Sequence, residues 1–247
     1  MSAYAVYQGK IPYLTTDQMR EVDRAMIEDY KIELIQMMEN AGCNLAHLAR
    51  DRFFDGNPFD KQVVILAGTG GNGGGALVCA RRLHNYGAEV VVYVTAEDEQ
   101  FTAIPAHQLD ILHRMEIPVV QADVIATQER PDLVIDGIIG YSLKGAPFGN
   151  AATLIMWANR CQAPILSLDA PSGVDTTTGT VFDPAIKATA TMTLALPKEG
   201  LRAPGVDAQV GELYLADISV PPELYAERAL NLQVGSIFAQ GDIVRLK

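Results

Sequence analysis

Six glycines fall among the eight positions 68–75, directly after an apolar run of Val63, Val64, Ile65, Leu66 and Ala67. Glycine accepts positive φ and lets a ligand come close to the backbone. A glycine turn between a strand and a helix aims N–H groups at an anion. The competing reading is a tight turn that binds nothing. Two aspartates follow later apolar runs in the same way. Asp136 ends Leu133-Val134-Ile135, and Asp169 ends Ile165-Leu166-Ser167-Leu168 and precedes Ala170-Pro171-Ser172-Gly173. A carboxylate at the end of a buried strand is partly desolvated and needs a cation, a hydrogen-bond donor or a proton. Asn72, Asp136 and Ser172 are all oxygen donors and could converge on one hard monovalent or divalent cation. The plainer alternative has each aspartate capping its own turn.

These residues share a site only if strands and helices alternate, and the chain reads that way. A helix starts at the capping box Thr15-Thr16-Asp17-Gln18, with Met19, Val22, Met26 and Tyr30 at helical spacing. A second helical stripe carries Leu34, Met37, Met38, Ala41, Leu45 and Leu48, and both methionines read as core. Glu21, Asp23, Glu28, Asp29 and Glu33 read as a solvated face, while Glu39-Asn40 could cap or reach a ligand. After the glycines and their helix come a strand over 89–95, a helix over 101–115 and a short strand over 117–120. A crossover helix over 151–161 separates the two aspartate strands, and further strands are expected over 192–196 and 212–216. Residues 1–13 read as an extended arm. The result is an α/β chain with a mostly parallel sheet between helical layers. In such sheets ligands bind beyond the carboxyl ends of the strands, where the strand order reverses. That edge is where the glycines, Asp136 and Asp169 fall.

Composition narrows the function. With 247 residues, 49% of them hydrophobic, the chain can build a large core, and it reads as one domain over 1–247. Residues 1–50 form a helical segment of it and 61–220 the αβα core. No apolar run approaches the ~20 residues of a membrane span, and no leader peptide is visible. Cys43, Cys79 and Cys161 are few and far apart, which speaks for a reducing compartment. His47, His84, His107 and His113 fall in helical segments without a metal-ligand pattern. A formal charge of −11 opposes nucleic-acid binding, yet it leaves room for a small phosphorylated ligand held by backbone N–H groups.

Five segments carry a more specific signal: LIQMMENAG (34–42), AGTGGNGGGA (67–76), DLVIDGIIGYSLKG (132–145), LSLDAPSGVDTTTG (166–179) and LALPKEGL (194–201). In order and spacing they resemble the NAD(P)H-hydrate epimerase family, also called the YjeF N-terminal domain, over roughly residues 14–220. The resemblance implies a Rossmann-like three-layer αβα sandwich and commonly a homodimer. It implies an enzyme that interconverts the R and S epimers of hydrated NADH or NADPH. Its functional partner is a separate ADP- or ATP-dependent hydrate dehydratase, for which no residues remain in this chain, and its setting is cytoplasmic. Carried over by position, ligands for a potassium ion fall on Asn72, Asp136 and Ser172. Substrate contacts fall on Gly71, Asn72, Gly73, Gly74 and Gly75, on Gly140, Tyr141, Ser142, Leu143, Lys144, Gly145 and Ala146, and on Asp169. The family loop reads GNNGGDG, whereas Gly71 and Gly75 replace an Asn and the Asp here and Ala76 replaces the last Gly. The expected consequence is weakened turnover.

The chemistry so implied starts from a hemiaminal, a hydroxyl on the carbon beside the ring nitrogen. Loss of hydroxide leaves a planar cation that water re-attacks from the other face. A carboxyl group suits both the proton transfer and the cation, and Asp169 takes that role in this reading. Two other readings stand beside it. One is a non-catalytic nucleotide-binding or scaffold relative that kept the fold. The other takes Gly68-x-Gly70-x-x-Gly73 as a dehydrogenase fingerprint, but no acid stands at the end of the second strand, where that fingerprint wants one.

Overall fold

A computed structural model describes residues 4 and 6–246. Residues 1–3 and 5 of the expected arm, and Lys247, lie outside the described residues. Within the rest of the arm, Val6 bridges to Arg245 and Leu14 to Lys198.

Helices α1 (Thr16–Glu28) and α2 (Leu34–Phe53) come first. The Thr15 capping box forms as the sequence requires: Thr15 Oγ1 accepts from the Gln18 N–H at 3.2 Å, and the Gln18 side chain accepts from the Thr15 N–H at 2.9 Å. Then follow β1 (Gln62–Ala67), α3 (Gly71–Asn85), β2 (Glu89–Val94), α4 (Ala103–Arg114), β3 (Val119–Gln121), β4 (Leu133–Gly137), α5 (Gly149–Arg160) and β5 (Ile165–Leu168). The chain ends with β6 (Ala190–Leu194), two short helices α6 (Asp207–Val210) and α7 (Pro222–Ala226), β7 (Glu212–Ala216) between them, and β8 (Ile243–Arg245).

The eight strands form one sheet in the order β3-β2-β1-β4-β5-β6-β7-β8, parallel throughout except for β8. The chain starts in the middle at β1, runs outward through β2 and β3, and returns to β4 on the other side of β1. The strand order therefore reverses between β1 and β4, where Ala67 pairs with Gly137. Successive residues of β1 point to opposite faces. Val63, Ile65 and Ala67 join the core shared with α2, α3 and α4 (Leu45, Leu77, Leu83, Leu109). Val64 and Leu66 join Leu154, Ile155 and Trp157 of α5 on the other face. This is the three-layer sandwich expected. α1 and the first half of α2 cover the end of the sheet where β6 and β7 lie, through Met19, Val22, Met26, Met37 and Ala41.

Several boundaries differ from the sequence reading. α3 begins inside the glycine run, so Gly71–Gly75 form its first turns rather than a loop before it. β6 starts two residues earlier than expected and stops before Ala195, whose φ of 63° turns the chain away from the sheet. Thr191 can lie buried within β6 because its hydroxyl donates to the Val210 carbonyl at 2.8 Å. The antiparallel edge strand β8 carries no sequence signal of its own, being three residues held by pairing with β7.

Candidate active site

The glycine run is explained first by packing. A Cβ on Gly73 would lie 1.8 Å from the Gly68 carbonyl oxygen, and one on Gly74 would lie 2.4 Å from Met38 Sδ. Both residues are buried. They let α3 start close against the end of β1 and let α2 cross it, as Gly42 does from its side at 2.5 Å from the Gly75 carbonyl. The Gly74 N–H makes a helical bond to the Gly70 carbonyl at 3.0 Å. The N–H groups before it have no partner within the helix, and they point out of its positive end.

That end opens onto a cavity of about 340 Å³. Gly71, Asn72 and Gly75 line it from α3, Tyr141 from the segment after β4, Asp169 from the end of β5, and Asp23 from α1. A second cavity of about 290 Å³ adjoins it and shares Gly71, Asn72, Gly140 and Ser142. Leu143, Lys144, Gly145 and Ala146 lie outside both cavities, and Lys144 is exposed.

Asp136 is fully buried at the switch point. Its Oδ1 accepts from Ser172 Oγ at 2.6 Å and the Ile138 N–H at 3.3 Å. Its Oδ2 accepts from Ser167 Oγ at 2.8 Å and the Ser172 N–H at 2.9 Å. Burial pushes this carboxyl above its ordinary range, and the hydrogen bonds from Ser172, Ser167 and Ile138 pull it partly back. Asp136 has no ion-pair partner among the described residues. Ser172 Oγ also accepts from the Ile139 N–H at 2.9 Å and lies 3.2 Å from the Ile139 carbonyl. Asp136 and Ser172 are thus in direct contact. Asn72 flanks the segment between them, its Oδ1 3.0 Å from where a Gly140 Cβ would stand. Its Nδ2 is buried without a hydrogen-bond partner among the described residues. Asp136, Ser172 and Asn72 Oδ1 all border the segment after β4, with Asp136 and Ser172 in contact and Asn72 beside Gly140.

Asp169 has a φ of 65°, a left-handed conformation that Asp tolerates better than most residues. Its N–H donates to the Met192 carbonyl at 2.7 Å, holding the turn against β6. Its side chain, 3% exposed as a residue, forms an ion pair with Lys198, which is fully buried. Lys198 Nζ donates to Asp169 Oδ1, to the Leu194 carbonyl at 2.8 Å and to Thr193 Oγ1 at 3.3 Å. All three ammonium donors are therefore used, which is what keeps a buried charge tolerable.

Asp23 corrects the reading of a solvated acidic face on α1. Its carboxylate accepts from the Tyr141 hydroxyl and lines the cavity. Burial raises this carboxyl, and the Tyr141 hydrogen bond and the nearby Lys198 charge oppose that rise. Glu21, Glu28 and Asp29 do face solvent, gathered around Arg24. Glu39 is structural: it accepts from Arg81 at 2.6 Å and from Gln108 at 3.1 Å, tying α2 to α3 and α4.

Sequence reasoning missed Lys198 and Asp23 as site residues, though both left a signal. Lys198 follows an apolar strand, β6, by four residues, as Asp169 follows β5 directly. Asp23 lies four residues after Met19 and three before Met26, on the apolar face of α1. The four histidines stay apart; His113 meets Asp98 at 2.9 Å and His47 stacks on Tyr86. Among the described residues no three His, Cys, Asp or Glu side chains gather as a metal group.

The chain is similar to known proteins along most of its length. The family model described as YjeF-related protein N-terminus matches residues 34–200. The NAD(P)H-hydrate epimerase of Dehalogenimonas lykanthroporepellens is 40% identical over 233 residues, 94% of this chain and 92% of that protein. The NAD(P)H-hydrate epimerase of Rhodopirellula baltica is 32% identical over 218 residues, 87% of each chain. The Bifunctional NAD(P)H-hydrate repair enzyme Nnr of Moorella thermoacetica is 36% identical over 227 residues, and the match spans 88% of this chain but only 42% of that protein. The crystal structure of yeast ynu0 superposes with a TM-score of 0.81 at 24% identity, covering 96% of this chain and all of that one, and so shares the fold. With a family match over most of its length and relatives aligned nearly end to end, the chain belongs to the YjeF-related protein N-terminus family.

Proposed function

We propose that this protein is an NAD(P)H-hydrate epimerase, an isomerase that interconverts the R and S hydrates of NADH and NADPH. The observation that carries the reading is the wall of one cavity. It brings the unbonded N–H end of α3 together with the buried, lysine-paired carboxylate of Asp169. The helix end suits a phosphate group of the dinucleotide, and the adjoining cavity gives room for a ligand with two halves. Asp169 serves as the proton-transfer group and as the negative charge facing the planar ring cation.

The cofactor in this reading is a potassium ion held by Asn72 Oδ1, Asp136 and Ser172 Oγ. When bound it supplies a fixed positive charge that sets the segment after β4 against α3. Support comes from the full burial of the Asp136 carboxylate, which has no ion-pair partner among the described residues, and from its direct contact with Ser172. Gly75, where a Cβ would meet Leu168 Cδ2 at 2.8 Å, leaves the cavity wall without the family's loop carboxylate. Turnover below that of relatives with the acidic loop is the expected consequence.

A hydrate dehydratase is the functional partner of this reading, in keeping with the bifunctional repair enzymes among the relatives. A homodimer and a cytoplasmic setting complete it. Three free cysteines accord with a reducing compartment, and no described helix is long and apolar enough to cross a membrane.

The test follows one pure epimer of hydrated NADH by chiral-sensitive chromatography, in potassium and in lithium buffer. Interconversion by the wild-type protein, faster in potassium, is expected. D169N is expected to abolish it while nucleotide still raises the melting temperature. An unaltered rate in D169N removes Asp169 from the mechanism.

A further inference from the structure

Epimerisation through a planar cation has a requirement that one carboxyl does not meet. Water leaves from one face of the ring and enters from the other, so a proton is delivered on one side and collected on the opposite side. Asp169 stands in a single fixed geometry, held by Lys198 and by its backbone bond to Met192. A second group able to carry a proton must face the same cavity.

Among the described residues the cavity wall holds one other carboxyl, Asp23. It comes from a different layer, α1, and reaches the cavity through a turn otherwise filled with core residues such as Met19, Val22 and Met26. The Tyr141 hydroxyl fixes its orientation by donating to Oδ2. We propose that Asp23 is the second catalytic residue of the epimerase site, exchanging the proton on one ring face while Asp169 exchanges it on the other, with Tyr141 as its positioning residue. The inference rests on the epimerase reading.

From one epimer the step runs as follows. The C–O bond breaks with its electron pair going to oxygen, the proton of the Asp23 carboxyl joins that oxygen, and water departs. The ring nitrogen lone pair closes the C=N bond of the cation. Water then adds to the same carbon from the opposite side, the π pair returns to nitrogen, and the surplus proton passes to the Asp169 carboxylate. The other epimer uses the two carboxyls in exchanged roles, and the site resets through the open cavity. The environments suit this division: burial favours the protonated form of Asp23, whereas Lys198 sets an ammonium against Asp169. The charged and titratable groups that bear on Asp23 from the packed elements are Tyr141 after β4, Asp169 after β5, Lys198 after β6 and Tyr225 on α7. Arg20 on α1 acts on it through Tyr141.

The experiment uses the full chain with each pure hydrate of NADH in water labelled with heavy oxygen, reading both inversion and label uptake. D23N is expected to lose about 10²–10⁴-fold in inversion. It should still exchange label into the one epimer whose hydroxyl faces Asp169, without inverting it. D169N should show the mirror pattern, with exchange confined to the other epimer. In Y141F the carboxylate of Asp23 loses a donor, so its proton is held more tightly. For the hydrate that Asp23 protonates the alkaline limb of kcat/KM then moves to higher pH, and this shift decides the matter should D23N not fold. Inversion by D23N at the wild-type rate overturns the proposal, as does a folded D23N that exchanges label into neither epimer. An unshifted limb in Y141F overturns it too. All three leave the epimerase reading standing, whereas a wild-type protein that inverts neither hydrate ends both.

Discussion

Lys198 and Asp169 form the most exposed-to-failure contact of the molecule, because neither touches bulk water to any extent. Replacing the lysine by methionine keeps most of the volume and leaves a carboxylate buried without its cation. Breaking a buried pair from one side costs about 3–5 kcal/mol, since the remaining charge stays desolvated or must take up a proton. K198M is therefore expected to lose about that much in urea unfolding at neutral pH. The K198M/D169N double variant, which buries no lone charge, should recover a large part of it, and a double-mutant cycle measures the coupling. A K198M protein as stable as wild type would mean that the pair is not closed in solution.

At the scale of elements, the junction of β1 and α3 sets the geometry of the site. Gly73 and Gly75 look alike in the sequence, yet they meet different neighbours. The Cβ of an alanine at 73 would collide with backbone, the Gly68 carbonyl at 1.8 Å, which can yield only if the strand or the helix moves. At 75 it would meet the far end of the Leu168 side chain at 2.8 Å, which can rotate away. Overpacking of this kind costs about 1–3 kcal/mol or more where nothing can give. G73A should therefore fall clearly below G75A in thermal stability, and it should disturb nucleotide binding as well. Equal melting temperatures for the two variants would contradict the close approach of helix to strand.

For the whole molecule, a charged contact ties the first half of the chain to the last strands. Arg52 at the end of α2 donates twice to Glu212 of β7, both at 2.9 Å, and the Tyr214 hydroxyl donates to the same carboxylate at 2.6 Å. Chiefly through the Arg52 bonds, the Glu212 carboxyl is held down to about 2. A carboxyl whose pKa is lower folded than unfolded contributes stability above its unfolded value, and it loses that contribution as pH falls through the folded one. Stability should thus decline between the ordinary glutamate range near pH 4.5 and about pH 2. In E212Q this part of the decline should be absent, with lower stability at neutral pH. Matching acid-unfolding curves for the two proteins would show that the contact carries no weight.

Local pattern was enough for much of this. Apolar runs of strand length, helical stripes and a capping box located β1, β4, β5 and β7 nearly to the residue and the starts of α1 and α2, because each is written in neighbours a few positions apart. Strand-end placement likewise put Asp136, Asp169 and the glycines on one edge, since parallel strands share a carboxyl end. What periodicity could not express was the company each residue keeps. Gly73 and Gly74 are glycines because another backbone and a methionine pass too close, and β8 exists because β7 offers it an open edge. Asp23 belongs to the cavity because α1 folds back across the sheet end. These facts depend on contacts between residues far apart in the chain, and such contacts come into being only when the layers close on one another.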